Sequence, residues 1–411
     1  LFSGKLKQGD EVFMHMANRK VRVQQVSIYK GAQRILMDEV YAGNIVGLVG
    51  LKDVMAGETV STKEMTPFES IKHIFDPVVT KSISAKRTSD LPKLIEVLKQ
   101  VSKEDPSIHI EINEETGENL MSGMGELHLE IIENRIKTEK GVDVNTSQPI
   151  VVFRESVSKV SPESEGRSPN KHNSFFLIIE PLEAAVSEAI VKGDIPEGRV
   201  KKKDDYLFKA LTEVGVSNDE ARQYRDVFMG NVFLDKTKGE VHIGEVIEMV
   251  MDSYENVMKQ GPLAREPCYR LKISLVDLKL HEDAIHRGPA QVYPAIREAI
   301  REGFRQANPV MFEPVQTHQI EAPIEFMGAL TSLVSQKRGK LLDVQQENNA
   351  TVIKGEIPVQ EMIGWSSDLR SATEGRGFSS LADQKFNRMP KELQDNIIKQ
   401  IRDRKGLEEN Q

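Results

Sequence analysis

The chain reads as a multidomain α+β protein: a β-barrel, two ferredoxin-like βαββαβ sandwiches, and an α/β domain inserted between them. Three observations lead to that class. Residues 1–66 are short apolar–polar alternations broken by glycine, without a helical period. The order strand, helix, strand, strand, helix, strand occurs over residues 76–147 and again over 316–390. Between them, residues 150–315 mix apolar strands with one long amphipathic helix. At 411 residues the chain is long enough for several domains.

Each element has its own signal. In 1–66, Val21-Arg22-Val23 alternates and turns stand at Gly9-Asp10, Gly31, Gly43 and Gly57, which suits a small barrel. From 76 to 147, Val78–Ser84 reads as a strand. Leu91, Leu94, Ile95, Leu98 and Val101 form a helical stripe behind an Asp90 cap. Ile108–Ile112 alternates and turns at Glu115-Thr116-Gly117 into a second strand; Gly125–Glu139 is helical, and Val142–Val144 closes the unit. In 150–315, strands are expected at Val151–Val157, Phe175–Pro181 and Arg270–Val276. A helix is expected at His242–Lys259 with Ile243, Val246, Ile247, Val250 and Tyr254 inward, and a polar loop at 161–173, with Lys201-Lys202-Lys203 as a charged turn. In 316–390, Ile320–Ile324, Leu341–Gln346 and Ala350–Ile357 read as strands, Phe326–Lys337 and 359–373 as helices, and Phe378 lies in a last strand. Residues 391–411 hold an amphipathic helix with Leu393, Ile397 and Ile401 on one face, expected to dock on another domain. Linkers are expected near 65–76, 147–150 and 313–320.

Composition narrows the class. Hydrophobic residues make up 39% and charged residues 29%, as in a soluble globular chain. No apolar run approaches a membrane span and no secretory signal opens the chain, so no membrane partner is expected. Cys268 is the single cysteine; it rules out an internal disulfide and suits a reducing cytoplasm. A net charge of −8 argues against coating nucleic acid by bulk charge, though a local basic tip remains compatible with RNA contact. The chain opens on Leu1-Phe2-Ser3-Gly4-Lys5-Leu6, a strand already in progress, which suggests a fragment whose N-terminal part is missing.

Three short runs stand out. Leu280 to Gly288 reads LHEDAIHRG between a strand and a helix at about Gln291–Gln306, a place where functional side chains are held. His281-Glu282 imitates the start of HExxH, but the next histidine, His286, is five residues on. That turns it about 140° away on a helix, so no metal site is expected. Arg167-Ser168-Pro169-Asn170-Lys171-His172-Asn173 offers cations and amide donors suited to phosphate and ribose. In Met121 to Glu130, MSGMGELHLE, a glycine-rich turn leads into a helix. Gly123 and Gly125 permit close approach, Leu127 and Leu129 pack, and Glu126 and His128 are structural rather than catalytic. Ser3-Gly4-Lys5 lacks the spacing of a phosphate-binding loop, and no guanine-reading NKxD occurs, so the chain itself should neither bind nor hydrolyse GTP. No catalytic residue is assigned.

These runs resemble the translocases of the elongation factor G / elongation factor 2 family. AIHRG is similar to the loop of archaeal and eukaryotic elongation factor 2 whose second histidine, here His286, becomes diphthamide. SPNKHN resembles the neighbouring tip loop of the fourth domain, and Gln260-Gly261-Pro262-Leu263 a third loop of that tip. MSGMGELHLE resembles a third-domain signature, and Leu48–Val60 resembles the end of the second domain of translational GTPases. The resemblance covers almost the whole chain. Arg287-Gly288-Pro289-Ala290-Gln291 departs from the Gly-Gly-Gly-Gln continuation of eukaryotic forms, which points to the archaeal branch.

The resemblance implies domains II to V without the GTPase domain, and a full-length factor that moves tRNAs and mRNA across the ribosome in the cytoplasm. GTP and Mg would belong to the missing domain. Diphthamide-synthesis enzymes would be further partners, and the factor would be a monomer. Pro169, Asn170, Lys171, His172, Asn173, Gly261, Pro262, His281, Asp283, Ile285, Arg287 and Gly288 would face RNA around His286. Gly123, Gly125, Glu126 and His128 would form an interdomain structural motif. The alternative is a ribosome-assembly or spliceosomal relative that uses the same architecture as a scaffold.

Overall fold

The computed structural model describes residues 1–31, 33–51, 54–68, 77–112, 119–200, 204–237, 243–347 and 349–407. The expected turn at 115–117, Lys201-Lys202-Lys203, His242 and most of the linker near 65–76 lie outside the described residues. The chain divides into two compact units, Leu1–Val151 with Glu361–Ser371, and Val152–Gln360 with Ala372–Gln411.

The first unit begins with three small sheets. Lys5–Lys7 pairs with Glu39–Tyr41; Glu11–Met14 lies between Arg19–Arg22 and Val60–Ser61; Gln25–Lys30 lies between Gln33–Met37 and Gly47–Val49. They share a core of Leu6, Val12, Val23, Val26 and Val40. The expected barrel is therefore corrected: among the described residues there is a common core but no closed ladder. These strands run two to six residues before the chain turns, as at Gly9, Gly31, Gly43 and Gly57, all with positive φ.

The next sheet runs His109–Glu111, Asn119–Gly123, Val79–Ala85, Val144–Thr146, all antiparallel. In chain order that is 2-3-1-4, the ferredoxin-like arrangement. Helices Leu91–Glu104 and Glu126–Thr138 bury Leu94, Val97, Leu98 and Val101, and Leu129, Ile132 and Ile136. Two local expectations change. The Asp90 side chain caps nothing; Asp90 ends a 3-10 turn, Thr88–Asp90, that feeds the helix directly. Leu127 is 54% exposed, because Leu129 occupies the inward position of that turn.

The second unit is layered. Its mixed sheet runs Ser164–Arg167, Ser174–Pro181, Leu271–Lys279, Asn231–Asp235, Tyr224–Phe228, Gly198–Arg199, and only Asn231–Asp235 against Leu271–Lys279 is parallel. Helices Ile243–Lys259 and Pro289–Gln306 join a core with Phe175, Leu177, Ile179 and Phe233, into which Val246, Val250, Tyr254, Ile296 and Phe304 project. The helices Ala184–Lys192 and Asp205–Glu213 build a separate core with Val227, Val232 and Leu234. Phe233 serves one core and its neighbours Val232 and Leu234 the other, as strand alternation requires.

Part of the expected polar loop 161–173 is a strand, Ser164–Arg167, packed on the helix Pro289–Gln306. A Cβ on Gly166 would run into the Ala295 carbonyl, and Ser164 Oγ donates to Ala299 O at 2.8 Å. Small polar residues let the strand lie against the helix, which is why no apolar alternation announces it.

The last sheet is organised by one long strand, Pro309–Pro323. Its start pairs with Arg154–Val157, residues 315–323 with Ala350–Pro358, and residues 312–321 with Phe378–Arg388; Lys340–Glu347 continues the sheet. The strands of 309–388 again follow the order 2-3-1-4. The linker expected at 313–320 is thus paired, mostly buried strand. The terminal helix, Lys391–Lys405, buries Ile397 and Ile401. Its end grips the turn after Lys259. Arg402 Nη1 donates to Leu263 O (2.7 Å), Lys405 Nζ to Ala264 O (3.0 Å) and Arg265 O (2.7 Å), and Lys405 pairs with Glu266 (2.6 Å).

Candidate RNA-facing tip

Two loops converge where the strand Leu271–Lys279 ends and the helix Pro289–Gln306 begins. The first loop, 168–173, is a tight turn closed by Lys171 N–H to Ser168 O at 2.7 Å. Lys171 has a φ of 61°, uncommon outside glycine, and its side chain is exposed beside exposed Pro169 and His172. Asn173 is 1% exposed and forms the crosspiece between the loops. Its Nδ2 donates to His286 O (2.8 Å) and Ser168 Oγ (3.2 Å), and its Oδ1 accepts from His281 N–H (3.1 Å). Asn170 Nδ2 donates to the same His286 carbonyl at 3.2 Å, while Asn170 N–H donates to Gln291 Oε1 at 2.9 Å.

The second loop holds a short 3-10 turn, Ala284–His286, capped by Asp283, whose carboxylate accepts from Ile285 N–H at 3.1 Å. Asp283 N–H in turn donates to His281 Nδ1 at 3.1 Å. Three imidazoles meet here: ring centres of His281 and His286 are 4.5 Å apart, and each is 5.0 Å from His172. Ile285 is 79% exposed beside them. Gly288 precedes the helix, and its carbonyl accepts from Gln291 N–H (2.9 Å) and Val292 N–H (3.1 Å) at the helix start.

Three expected site residues are placed differently. Arg287 is 4% exposed; its Nη2 pairs with Glu245 at 2.6 Å and Nη1 donates to His281 O at 3.1 Å. It holds the loop onto the start of the helix Ile243–Lys259 instead of facing outward. Gly261 and Pro262 follow the other end of that helix, about 24 Å from Glu245 at 1.5 Å per residue, so they are not part of this cluster. Gly261 lies against buried Glu155, whose carboxylate a Cβ there would strike. Glu155 accepts from the N–H groups of Leu263 (2.6 Å), Ala264 (2.8 Å) and Glu266 (2.9 Å), and burial pushes its carboxyl up to about 7.

The Met121–Glu130 run is structural in detail. A Cβ on Gly123 would press on Leu129 and His128, whereas Gly125 is extended with nothing near it, so only Gly123 needs to be glycine. His128 Nε2 meets Asp105 at 3.1 Å. Burial alone would raise the Asp105 carboxyl, but hydrogen bonds from Ser107 and His128 outweigh it and hold it below its ordinary value. The Glu126 carboxylate accepts from Gly364 N–H at 2.7 Å, far along the chain but inside the same unit. Cys268 is buried and burial pushes its thiol well up, as in a packed and unreactive residue. Among the described residues no three ligating side chains are arranged to hold a metal ion, and no helix is long and apolar enough to cross a membrane.

Comparison with known proteins agrees along the chain. Residues 1–61 match the model for elongation factor Tu domain 2, 74–148 elongation factor G domain III, 178–308 elongation factor G domain IV, and 310–397 the elongation factor G C-terminus. Elongation factor 2 of Thermococcus onnurineus is 50% identical over 410 residues, covering 100% of this chain and 56% of the relative. That of Pyrococcus horikoshii is 48% identical over 410 residues with the same two coverages. That of Nanoarchaeum equitans is 48% identical over 418 residues, covering 99% of this chain and 56% of the relative. The chain therefore spans little more than half the length of these archaeal relatives. Four successive domain models and whole-chain identity of this order lead to one conclusion: the chain belongs to the elongation factor G / elongation factor 2 family.

Proposed function

We propose that this chain is the part of a ribosomal translocation factor that carries the decoding-side tip, in a factor that moves tRNAs and mRNA during elongation. The observation that carries the reading is the clamp on His286. Two asparagine amides from one loop hold its carbonyl, while Lys171, His172 and Ile285 stay outward. A tip built this way presents cations and hydrogen bonders on a fixed backbone. It suits gripping a codon–anticodon backbone by shape, since the factor must act on every codon.

In this reading residues 1–66, 76–147, 150–315 and 316–390 are successive modules and 391–411 a brace. GTP and Mg are handled by a further domain of the whole factor. His286 is the residue that diphthamide-synthesis enzymes modify, giving a longer, positively charged probe that keeps frame. The factor works as a monomer in the cytoplasm.

The test is made in the whole factor. His286→Ala is expected to leave GTP hydrolysis largely intact while frameshifting rises in a reporter; unchanged frame fidelity sinks the role of the probe. Labelling by diphtheria toxin and radioactive NAD, on the peptide holding His286 from native cells, tests the modification. Lys171→Ala is expected to weaken translocation with a shallower salt dependence.

A further inference from the structure

Away from the tip, the helix Pro289–Gln306 carries Arg297, Arg301 and Arg305 at four-residue intervals. Side chains so spaced share one face and follow one another at about 6 Å along the axis. Arg305 is paired with Glu302 at 3.0 Å. Among the described residues, no carboxylate lies within ion-pair distance of Arg297, Arg301 or neighbouring Arg265. Arg265 and Arg297 are exposed and Arg301 is partly buried. Burial lowers the Arg301 pKa, and the next causes are the charges of Arg297, Arg265 and Arg305; buried Glu155 opposes them weakly. Like charges one turn apart destabilise a helix. A chain of net charge −8 nevertheless concentrates four guanidiniums here.

We infer that the Arg265, Arg297, Arg301 face is a second binding surface, for the phosphodiester backbone of an RNA helix. Three features select that ligand. Guanidinium is a planar fork that meets two phosphate oxygens at once. The rise between successive arginines is close to the spacing of successive phosphates along a strand. No aromatic or apolar side chain interrupts the row, as a base-reading or peptide-binding groove would need. The surface is independent of the tip, since Arg301 lies more than three turns along the helix from His286.

The experiment uses the 411-residue chain and a fluorescein-labelled RNA duplex of mixed sequence, read by anisotropy from low to moderate salt. Arg297→Gln with Arg301→Gln is expected to weaken binding at low salt by about ten-fold or more, and to reduce the log–log salt slope by about 2. Lys171→Ala with His172→Ala should leave that arginine-dependent part of the slope in place, which separates this surface from the tip. Arg297→Gln alone, at an exposed position, is expected to keep or raise the melting temperature without RNA, because it relieves repulsion. An unchanged slope in the double variant overturns the inference. So does a melting temperature lowered by Arg297→Gln, which would make the arginine structural, or competition by poly-glutamate as effective as by unlabelled duplex.

Discussion

The Asn173 side-chain amide bridges two loops, donating to the His286 carbonyl at 2.8 Å while its oxygen accepts from His281 N–H at 3.1 Å. The histidine at the centre of the tip is thus held through its backbone, and its ring packs against those of His172 and His281. Asn173→Ala should strand the buried groups it now satisfies. A loss of about 2 kcal/mol is expected, together with faster amide exchange in 281–288. Unchanged exchange in that segment would show that the loops hold without the bridge.

Arg287 and Lys171 both look like RNA-facing cations in the sequence, yet one is buried and the other exposed. Glu245→Ala leaves the Arg287 guanidinium inside the fold without its carboxylate and should cost about 2–3 kcal/mol in urea unfolding. Lys171→Ala should stay within about 0.5 kcal/mol. Equal costs would contradict the assignment of Arg287 as a structural tether.

Gly166 and Gly303 are both crowded glycines, against different neighbours. A methyl at Gly166 meets the Ala295 backbone, which cannot turn aside, whereas one at Gly303 meets the Ile179 side chain and Ser164 Oγ. Gly166→Ala is therefore expected to destabilise more, by about 3 kcal/mol or more, than Gly303→Ala at about 1–3 kcal/mol. Thermal denaturation of the two variants checks the order.

Glu155 gives a pH dependence of definite sign. Its carboxyl stands at about 7 in the fold, raised by burial, against 4.5 ordinarily. Between those values the folded chain keeps a proton that the unfolded chain has released. Stability from this group therefore falls as pH rises through that window, by up to about 1.4 kcal/mol per pH unit, and is flat below and above it. Glu155→Gln should remove this component. Urea midpoints of both proteins from pH 4.5 to 7 measure it, and parallel profiles would contradict it.

The sequence disclosed most where side-chain periodicity matched burial. Val246, Val250 and Tyr254 are inward as their spacing requires, and both βαββαβ orders fold into 2-3-1-4 sheets. It was silent where packing uses small or polar residues. Ser164–Arg167 has no apolar face because glycine and serine let it meet a helix closely. Strands Tyr224–Phe228 and Asn231–Asp235 and the helix Ala184–Lys192 have short apolar runs without a decisive period, so the sequence does not announce them. The burial of Arg287 depends on Glu245, 42 residues away, and the position of Gly261 depends on which way a helix points. Neither is local information.

The strand Pro309–Pro323 has a mechanical consequence. Fifteen residues of extended chain reach about 50 Å, with Arg154–Val157 paired at one end and the antiparallel strand Ala350–Pro358 along residues 315–323. A displacement of the C-terminal sheet is carried along this beam through covalent bonds and as shear across hydrogen bonds, both stiff, with one register shift in the pairing to Phe378–Arg388, between Thr317 and His318. The C-terminal sheet and the base of the tip-bearing layers should therefore be displaced together, so that the sheet acts as a handle for the tip.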